Sequence, residues 1–428
     1  MRFAQARNTT VVAVAVTCLA LVLSAFTPGP PSSGTPGQQK VHPRVQEWAD
    51  GLPNAKQEPG PKKCTTKQDE KGQETTLCLE KVDPEEAPPL PPMPRTADPV
   101  PPSMCYVKPG QVNYDRFNAC QQSTLKVTVN SGSGELGGYV WWGVWETLDA
   151  KSRSWKMNFG IRPYEWDALL IHADPVAAVA TQCTGNCDTP DPEQKNLGVN
   201  NEYLYFGEQD VASPGDGINY SNPWVGLALQ FDEDVVNWPH FVSWDDLTTP
   251  INIRCDSESY IGSNGGCVHY MGHSAIPIYN IDYNGPYAEV AKNALYGMTV
   301  QDPVYHYGNI QYGNPLTRAA PRDIPPHRNS ICTKSIKAKA TALGLTCDEW
   351  PYAASEQGGS GNPRFSCAFV PGDQNSNQGS DLTNHFFVPN RILPADDEAD
   401  PYVPGDAFWV WVTNAPANPP PVKQCNTY

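Results

Sequence analysis

Leu125-Lys126-Val127-Thr128-Val129-Asn130 alternates apolar and polar side chains at every step, and this two-residue period places Leu125, Val127 and Val129 on one face of a half-buried strand. Comparable runs at 139–146, 155–162, 202–206, 225–231 and 251–255 are separated by turn residues. Their number and spacing predict an antiparallel β-sandwich-like domain over 104–284. Around Pro286 the period changes. Tyr287, Val290, Ala291, Ala294, Leu295 and Met298 recur at helical spacing behind Gly285 and Pro286, so one helix face is apolar. Further helices are expected over 335–343 and 381–387, and a buried closing strand over 408–412. The expected architecture is multidomain: the N-terminal β-sandwich-like domain, then a small α+β domain over 285–415 and a C-terminal tail over 416–428.

At the N-terminus, Arg2 and Arg7 precede an uncharged run from Val11 to Phe26, which Thr27, Pro28, Gly29 and Pro30 end abruptly. That layout is a secretory signal peptide over 1–27. The run has sixteen residues, short of the roughly 20 that a membrane-spanning helix needs. The expected location is therefore secreted or extracellular, with cell-surface association left open and no stable membrane insertion once the signal is removed. Thr17 before Cys18 is a poor match to a lipoprotein cleavage site. Residues 28–103 are rich in Pro, Lys, Glu, Gln and Thr, with Pro88, Pro89, Pro91, Pro92 and Pro94 close together. They read as a Pro-rich linker or stalk.

Thirteen cysteines less Cys18 leave an even twelve, which outside the cell reads as disulfides. Cys64 with Cys78, Cys105 with Cys120, Cys255 with Cys267 and Cys332 with Cys347 are close in sequence, so short-range bridging is the simplest arrangement, although spacing alone does not fix connectivity. Cys183 and Cys187 are spaced somewhat like zinc ligands, but no second pair follows. The net charge of −16 excludes a protein that holds nucleic acid by a general basic surface. Chemistry on a polyanion would have to rely on local cations.

The segment from Cys347 to Trp411 carries the densest chemistry. It runs Cys347-Asp348-Glu349-Trp350-Pro351-Tyr352-Ala353, then Glu356-Gln357-Gly358-Gly359, then Val370-Pro371, Asn375-Ser376-Asn377-Gln378-Gly379, Asn390-Arg391-Ile392-Leu393 and Gly405-Asp406-Ala407-Phe408. Carboxylates, amides and an arginine between apolar anchors suit a site for a hard cation and a phosphodiester, since carboxylate and amide oxygens bind Mg²⁺ and arginine neutralises a phosphate oxygen.

These ordered motifs resemble the NucA/NucB deoxyribonuclease family, secreted bacterial nucleases, and most closely its longer cysteine-containing members. The likeness is strong over 286–412 and looser back through Cys255 and Gly265-Gly266-Cys267-Val268. It implies that 285–415 is a small α+β nuclease domain and the protein a metal-dependent endonuclease that hydrolyses DNA. The resemblance makes Glu349 the base that activates water, with Asp348 supporting it. Asn375 would hold the metal, with Gln378 and Glu356 lining the same pocket, and Arg391 would stabilise charge developing on the phosphate. Cys332 with Cys347 would pin the catalytic segment to the preceding helix. The implied cofactor is Mg²⁺ or Mn²⁺, with Ca²⁺ a further candidate. DNA is the implied substrate, RNA is a second candidate, and no protein partner is indicated. Thr346 and Gln374 stand where acidic residues are common in the family, and Asp396, Asp397, Glu398 and Asp400 form an acidic insertion.

Plainer roles compete. Asp348 suits a helix cap, Glu349 a structural pair with Arg391, and Asn375 with Gly379 a turn. His327 and Arg328, in a proline-bounded stretch read as a loop, are accessory candidates for the leaving group and the phosphate backbone. His269 and His273 are four apart, but Gly272 and the surrounding turns argue against a helical metal pair. Trp141, Trp142, Trp145, Trp155, Trp224, Trp238 and Trp244 read as sandwich core rather than sugar-stacking residues. The rival function is a non-catalytic extracellular cell-surface or polysaccharide-binding β-protein that retains a degenerate nuclease fold.

Overall fold

In the computed structural model, residues 43–51, 62–90, 92, 99 and 101–427 are described, apart from 133, 199, 233–236, 259–260, 262–264 and 397–402. The expected signal peptide and Asp397, Glu398 and Asp400 of the acidic insertion lie outside the described residues. The chain is mostly β, with several sheets and a few helices. Helix α1 (Pro43–Gly51) precedes thirteen strands and a short helix: β1 (Lys62–Gln68), β2 (Glu74–Val82), β3 (Val112–Tyr114), β4 (Asn118–Ser131), β5 (Gly134–Thr147), β6 (Ser154–Tyr164), α2 (Ala168–His172), β7 (Val176–Gly185), β8 (Glu193–Asn196), β9 (Leu204–Ala212), β10 (Asn219–Gln230), β11 (Phe241–Trp244), β12 (Ile253–Asp256) and β13 (Gly266–His269).

One sheet runs β1-β2-β4-β5-β6-β9 with β3 beside β4, and the other runs β13-β12-β10-β7-β8 with β11 beside β10. The alternation seen from Leu125 to Asn130 is kept: Leu125, Val127 and Val129 are buried and share one core with Val140, Trp142, Phe159 and Ile161 of the same sheet. Val179, Leu227 and Val242 of the second sheet complete that core, as expected for two sheets packed face to face. Most of the tryptophans fill it or its margins, Trp142 and Trp244 being almost wholly buried.

The composition of 28–103 misleads about part of that span. Residues 62–82 form the β1–β2 hairpin at the edge of the first sheet, closed by the Cys64–Cys78 disulfide. Strand β1, Lys62-Lys63-Cys64-Thr65-Thr66-Lys67-Gln68, has no buried residue, as suits a strand at the solvated edge of a sheet. Helix α1 also docks, with Val45 buried against Ala178 and Ala228 and Trp48 Nε1 donating to Asp245 at 2.8 Å.

A second core follows. Strands β14 (Ile278–Asp282), β15 (Leu316–Thr317) and β18 (Ala407–Thr413) form a small sheet in the order β14-β18-β15, while β16 (Thr346–Trp350) and β17 (Ser366–Val370) form an antiparallel pair. Helices α3 (Ala288–Tyr296), α4 (Ile324–Ile331), α5 (Lys334–Ala342) and α6 (Gly372–Asp381) surround them. The apolar face foreseen for α3 is buried as Val290, Ala291, Ala294 and Met298 against Phe408 and Val410. Helix α4 corrects the reading of 325–329 as a loop: prolines fit its first turn, where their missing N–H costs nothing. The stretch from Asn375 to Gly379, for which a turn was the plainer reading, is helical.

The four pairings favoured by proximity are present as disulfides, together with Cys183–Cys187 and Cys367–Cys425. The last ties the C-terminal tail to β17. No helix among the described residues is long and apolar enough to cross a membrane.

The two cores fall in one compact unit covering Val41–Tyr428, and buried charge joins them. Arg391, only 1% exposed, pairs with Asp256 of β12 and donates to the Ala150 carbonyl at 2.7 Å. Its backbone has a left-handed φ of 48°, and its carbonyl accepts from Arg116 at 3.0 Å and Arg254 at 2.6 Å. Both arginines also pair with Asp406, just before β18. Burial pushes Arg116 down to about 10, against the opposing pull of Asp406. Burial alone would raise the Asp406 carboxyl, but Arg254 and Arg116 reverse that and hold it below its ordinary value. Gly266 is required beside this cluster, because a Cβ there would lie 2.2 Å from the Ala150 carbonyl oxygen and 2.8 Å from the Arg391 side chain.

Arg391→Ala and Asp256→Ala each leave a buried charge without its partner. Each is expected to lower the unfolding free energy in urea melts by about 3–5 kcal/mol; unchanged midpoints would show that the pairing is dispensable.

Candidate active site

Asp348 and Glu349 are neighbours on β16, and successive side chains of a strand point to opposite faces. The structure therefore parts them. Asp348 faces α3, where its Oδ2 accepts from Asn293 Nδ2 at 2.8 Å. Asn293 Oδ1 in turn accepts from Ser366 at 2.6 Å, and Gln424 of the tail closes the network on Ser366 and the Cys367 N–H. Burial, and secondarily the Glu349 charge, raise the Asp348 carboxyl well above its ordinary range. It reads as a buried acid inside the fold and does not touch Glu349's partners.

Glu349 faces α4. Its Oε1 lies 3.5 Å from Arg328 Nε and its Oε2 3.4 Å from Cys332 Sγ, a contact with no proton to share because that sulfur is in a disulfide. Burial raises the Glu349 carboxyl, while Arg328, the Ala353 N–H and Lys337 counteract it. The carbonyl of the same Ala353 takes His327 Nδ1 at 3.1 Å. A carbonyl only accepts, so Nδ1 carries the proton and Nε2 is the ring's second functional atom. One residue, Ala353, thus meets both Glu349 and His327, and Arg328, next to His327 on α4, pairs with Glu349.

His327 opens onto a cleft of about 710 Å³, lined also by Glu356, Tyr305, Tyr307, Arg364 and the loop 357–361. Glu356 is fixed there by the Thr317 hydroxyl, and Gln357 holds the other side of Thr317 at 2.9 Å and its N–H at 3.0 Å. Gly359 has a left-handed φ of 83°, and a Cβ on it would press to 3.1 Å of the His327 backbone. This accounts for glycine at the end of the Glu356-Gln357-Gly358-Gly359 motif.

The remaining candidates are placed elsewhere. Asn375, on α6, donates through Nδ2 to the Cys347 carbonyl at 3.0 Å, bracing the strand that carries Glu349. Gln378 is buried and turned to Tyr279 Oη at 3.5 Å, so it lines the second core rather than the cleft. Arg391 is held by Asp256 at the junction of the two cores and faces no cavity with Glu349. Glu349, Asn375 and Arg391, expected in one pocket, thus have separate partners: Arg328, the Cys347 carbonyl and Asp256. His269, buried, is held by Glu146 at 3.1 Å and the Asp115 carbonyl at 2.8 Å. Sequence reasoning passed over Asn293, Thr317 and Lys337, since an isolated amide, hydroxyl or lysine carries no signal until the fold supplies its partner.

Among the described residues, the one set of three or more Cys, His, Asp or Glu ligand atoms lying within 4.8 Å is that of Cys332, Cys347 and Cys367, whose sulfurs are spent in two disulfides. No closed cage for a thiophilic metal exists there. A hard divalent ion keeps most of its water and takes only one or two protein oxygens; Glu356 is the carboxylate that lines the cleft.

The sequence profile of the family described as Deoxyribonuclease NucA/NucB matches residues 310–398, which span α4, α5, the β16–β17 pair, α6 and Arg391. This is the family that the motifs resemble. No curated protein and no solved structure matches the chain.

Asp348's folded-state carboxyl is raised above the roughly 3.9 of an unfolded Asp, so the fold loses stability as pH rises through the raised value. Asp348→Asn lacks that loss. Its melting temperature relative to the parent is expected to climb between pH 5 and pH 8; a difference that stays flat would mean the carboxyl is already ionised at the lower pH.

Proposed function

We propose that this chain is a secreted, divalent-metal-dependent endonuclease that hydrolyses phosphodiester bonds in DNA. The family match over 310–398 points to nuclease activity and to DNA as the substrate. The observation that carries the reading is that Ala353 ties His327, which lines the cleft, to Glu349, whose carboxylate pairs with Arg328. A carboxylate raised by burial is a stronger base than a solvated one, which suits removing a proton from water near neutral pH. As water forms its bond to phosphorus, Glu349 takes its proton and the ester P–O bond breaks. His327 in its doubly protonated form, its Nδ1–H held by the Ala353 carbonyl, gives the Nε2 proton to the departing oxygen and is left as the neutral ring. The Arg328 guanidinium balances charge on the phosphate oxygens. Glu356, the carboxylate lining the cleft, is the oxygen donor that would hold the ion, which would supply Lewis-acid charge to the phosphate when bound. Six disulfides support an oxidising destination such as the cell exterior.

Plasmid DNA incubated with the mature protein and Mg²⁺ or Mn²⁺ is expected to be nicked, and chelator is expected to stop it. Glu349→Gln should reduce the rate at least about 10²-fold, the lower end of what general-base loss costs, while the melting temperature holds. Cation-independent inertness of the parent protein would favour the non-catalytic binding protein, and a fully active Glu349→Gln would remove Glu349 as the base.

The working form of Glu349 is the carboxylate, so kcat/KM is expected to fall as pH drops through its raised value, above the roughly 4.3 of a free Glu. Arg328 opposes that rise. Arg328→Ala should therefore shift the acid limb to higher pH; a limb that stays put would show that another group controls it.

A further inference from the structure

Besides His327 and Glu356, the cleft is lined by two tyrosines, Tyr305 and Tyr307, and by Arg364. Tyr305 and Tyr307 stack with ring centroids 5.3 Å apart and planes 29° apart, and the Arg364 guanidinium lies 4.8 Å over the Tyr305 ring. Tyr305 is 43% exposed, although an isolated tyrosine of that size would be expected to bury more of its ring. Its loop is fixed from below. The buried Asp302 accepts the Tyr305 N–H at 3.0 Å and the Tyr307 N–H at 3.3 Å, and His306 Nδ1 meets the Met298 carbonyl at 2.8 Å. Arg364 pairs with Asp302 at 3.8 Å and also lines the cleft. The rings are thus presented on a preorganised support, and presenting them costs little entropy when something stacks there.

We propose that Tyr305, Tyr307 and Arg364 form a stacking platform for an unpaired nucleobase next to the phosphate being cut, making single-stranded or locally melted DNA the preferred substrate. This rests on the reading of the cleft as a phosphodiester site. Bases inside a duplex already stack on each other and offer no free face, whereas a base in a single strand can lie on tyrosine or arginine planes. The surroundings match in charge: Arg364 and His327 line the cleft and Arg328 is adjacent, in a chain whose net charge is −16. A protein so acidic gains little from general backbone attraction, so base stacking supplies affinity that the distributed charge does not.

The test is fluorescence anisotropy with a labelled single strand of about twelve nucleotides and with the matching duplex, in chelator so that nothing is cut. The single strand is expected to bind tighter than the duplex. Tyr305→Ala should weaken single-strand binding about five- to 150-fold, and Tyr305→Trp should restore it, which separates stacking from a folding defect. Arg364→Ala should weaken binding and lower the salt slope by about one phosphate contact. Tyr220→Ala, an exposed tyrosine of the sandwich, should bind as the parent does. Parent-like binding by Tyr305→Ala, no binding by the parent protein, or a parent preference for duplex would each overturn the platform. Parallel plasmid nicking keeps the two readings apart: nicking with Tyr305-independent binding sinks the platform alone, and Tyr305-dependent binding without nicking upholds the platform while sinking the hydrolase.

Discussion

The pairing of Arg391 with Asp256 and the arginine–carboxylate cluster around it hold this molecule in one arrangement. Three guanidinium groups and two carboxylates are buried where the sandwich meets the second core; other arginine donors go to the carbonyls of Ala150, His269, Asn390 and Arg391, while Arg254 Nε makes no hydrogen bond and lies 3.7 Å from Asp256. Burying such charges costs several kcal/mol each unless every one is paired. The cluster thus gives the junction a single permitted register. A purely apolar contact would tolerate sliding that this one does not.

From that junction the constraint reaches the cleft through backbone. Asp406 takes the Leu393 N–H at 3.1 Å and leads directly into β18, whose Phe408 and Ala407 pair with Leu316 and Thr317. Thr317 then holds Glu356 and Gln357, and the loop beyond them rests on His327. The cleft is consequently shaped from both ends: by disulfide-bound α4 on one side and by a strand anchored in the sandwich on the other. This gives the sandwich a role in building the site without contributing a lining side chain to it.

The separation of Asp348 from Glu349 shows how strand geometry assigns roles to identical chemistry. Both carboxyls are raised by burial, but Asp348 is hydrogen-bonded by the Asn293 amide and the Glu349 N–H and feels Arg328 only through its charge, whereas Glu349 meets Arg328 directly, the Ala353 N–H and the field of Lys337. A residue that is buried yet partly compensated can still ionise and work as a base; its neighbour is better suited to staying protonated in the core.

Much was written locally in the sequence. Alternation from Leu125 to Asn130, helical spacing from Tyr287 to Met298, the four proximal cysteine pairs and the ordered motifs after Cys347 determined strands, helix, bridges and family likeness, because each depends on neighbours within a few residues. The fate of Arg391 was not legible, since its partner Asp256 lies 135 positions away and an arginine reads alike in a salt bridge and on a phosphate. The stretch 62–82 looked like linker because an edge hairpin is polar on its open side, and Asn375 and Gln378 looked like ligands until α6 turned one to a carbonyl and the other to Tyr279. Short-range periodicity is a property of the chain; which face meets which partner is decided only when distant segments compete to satisfy the same buried charges.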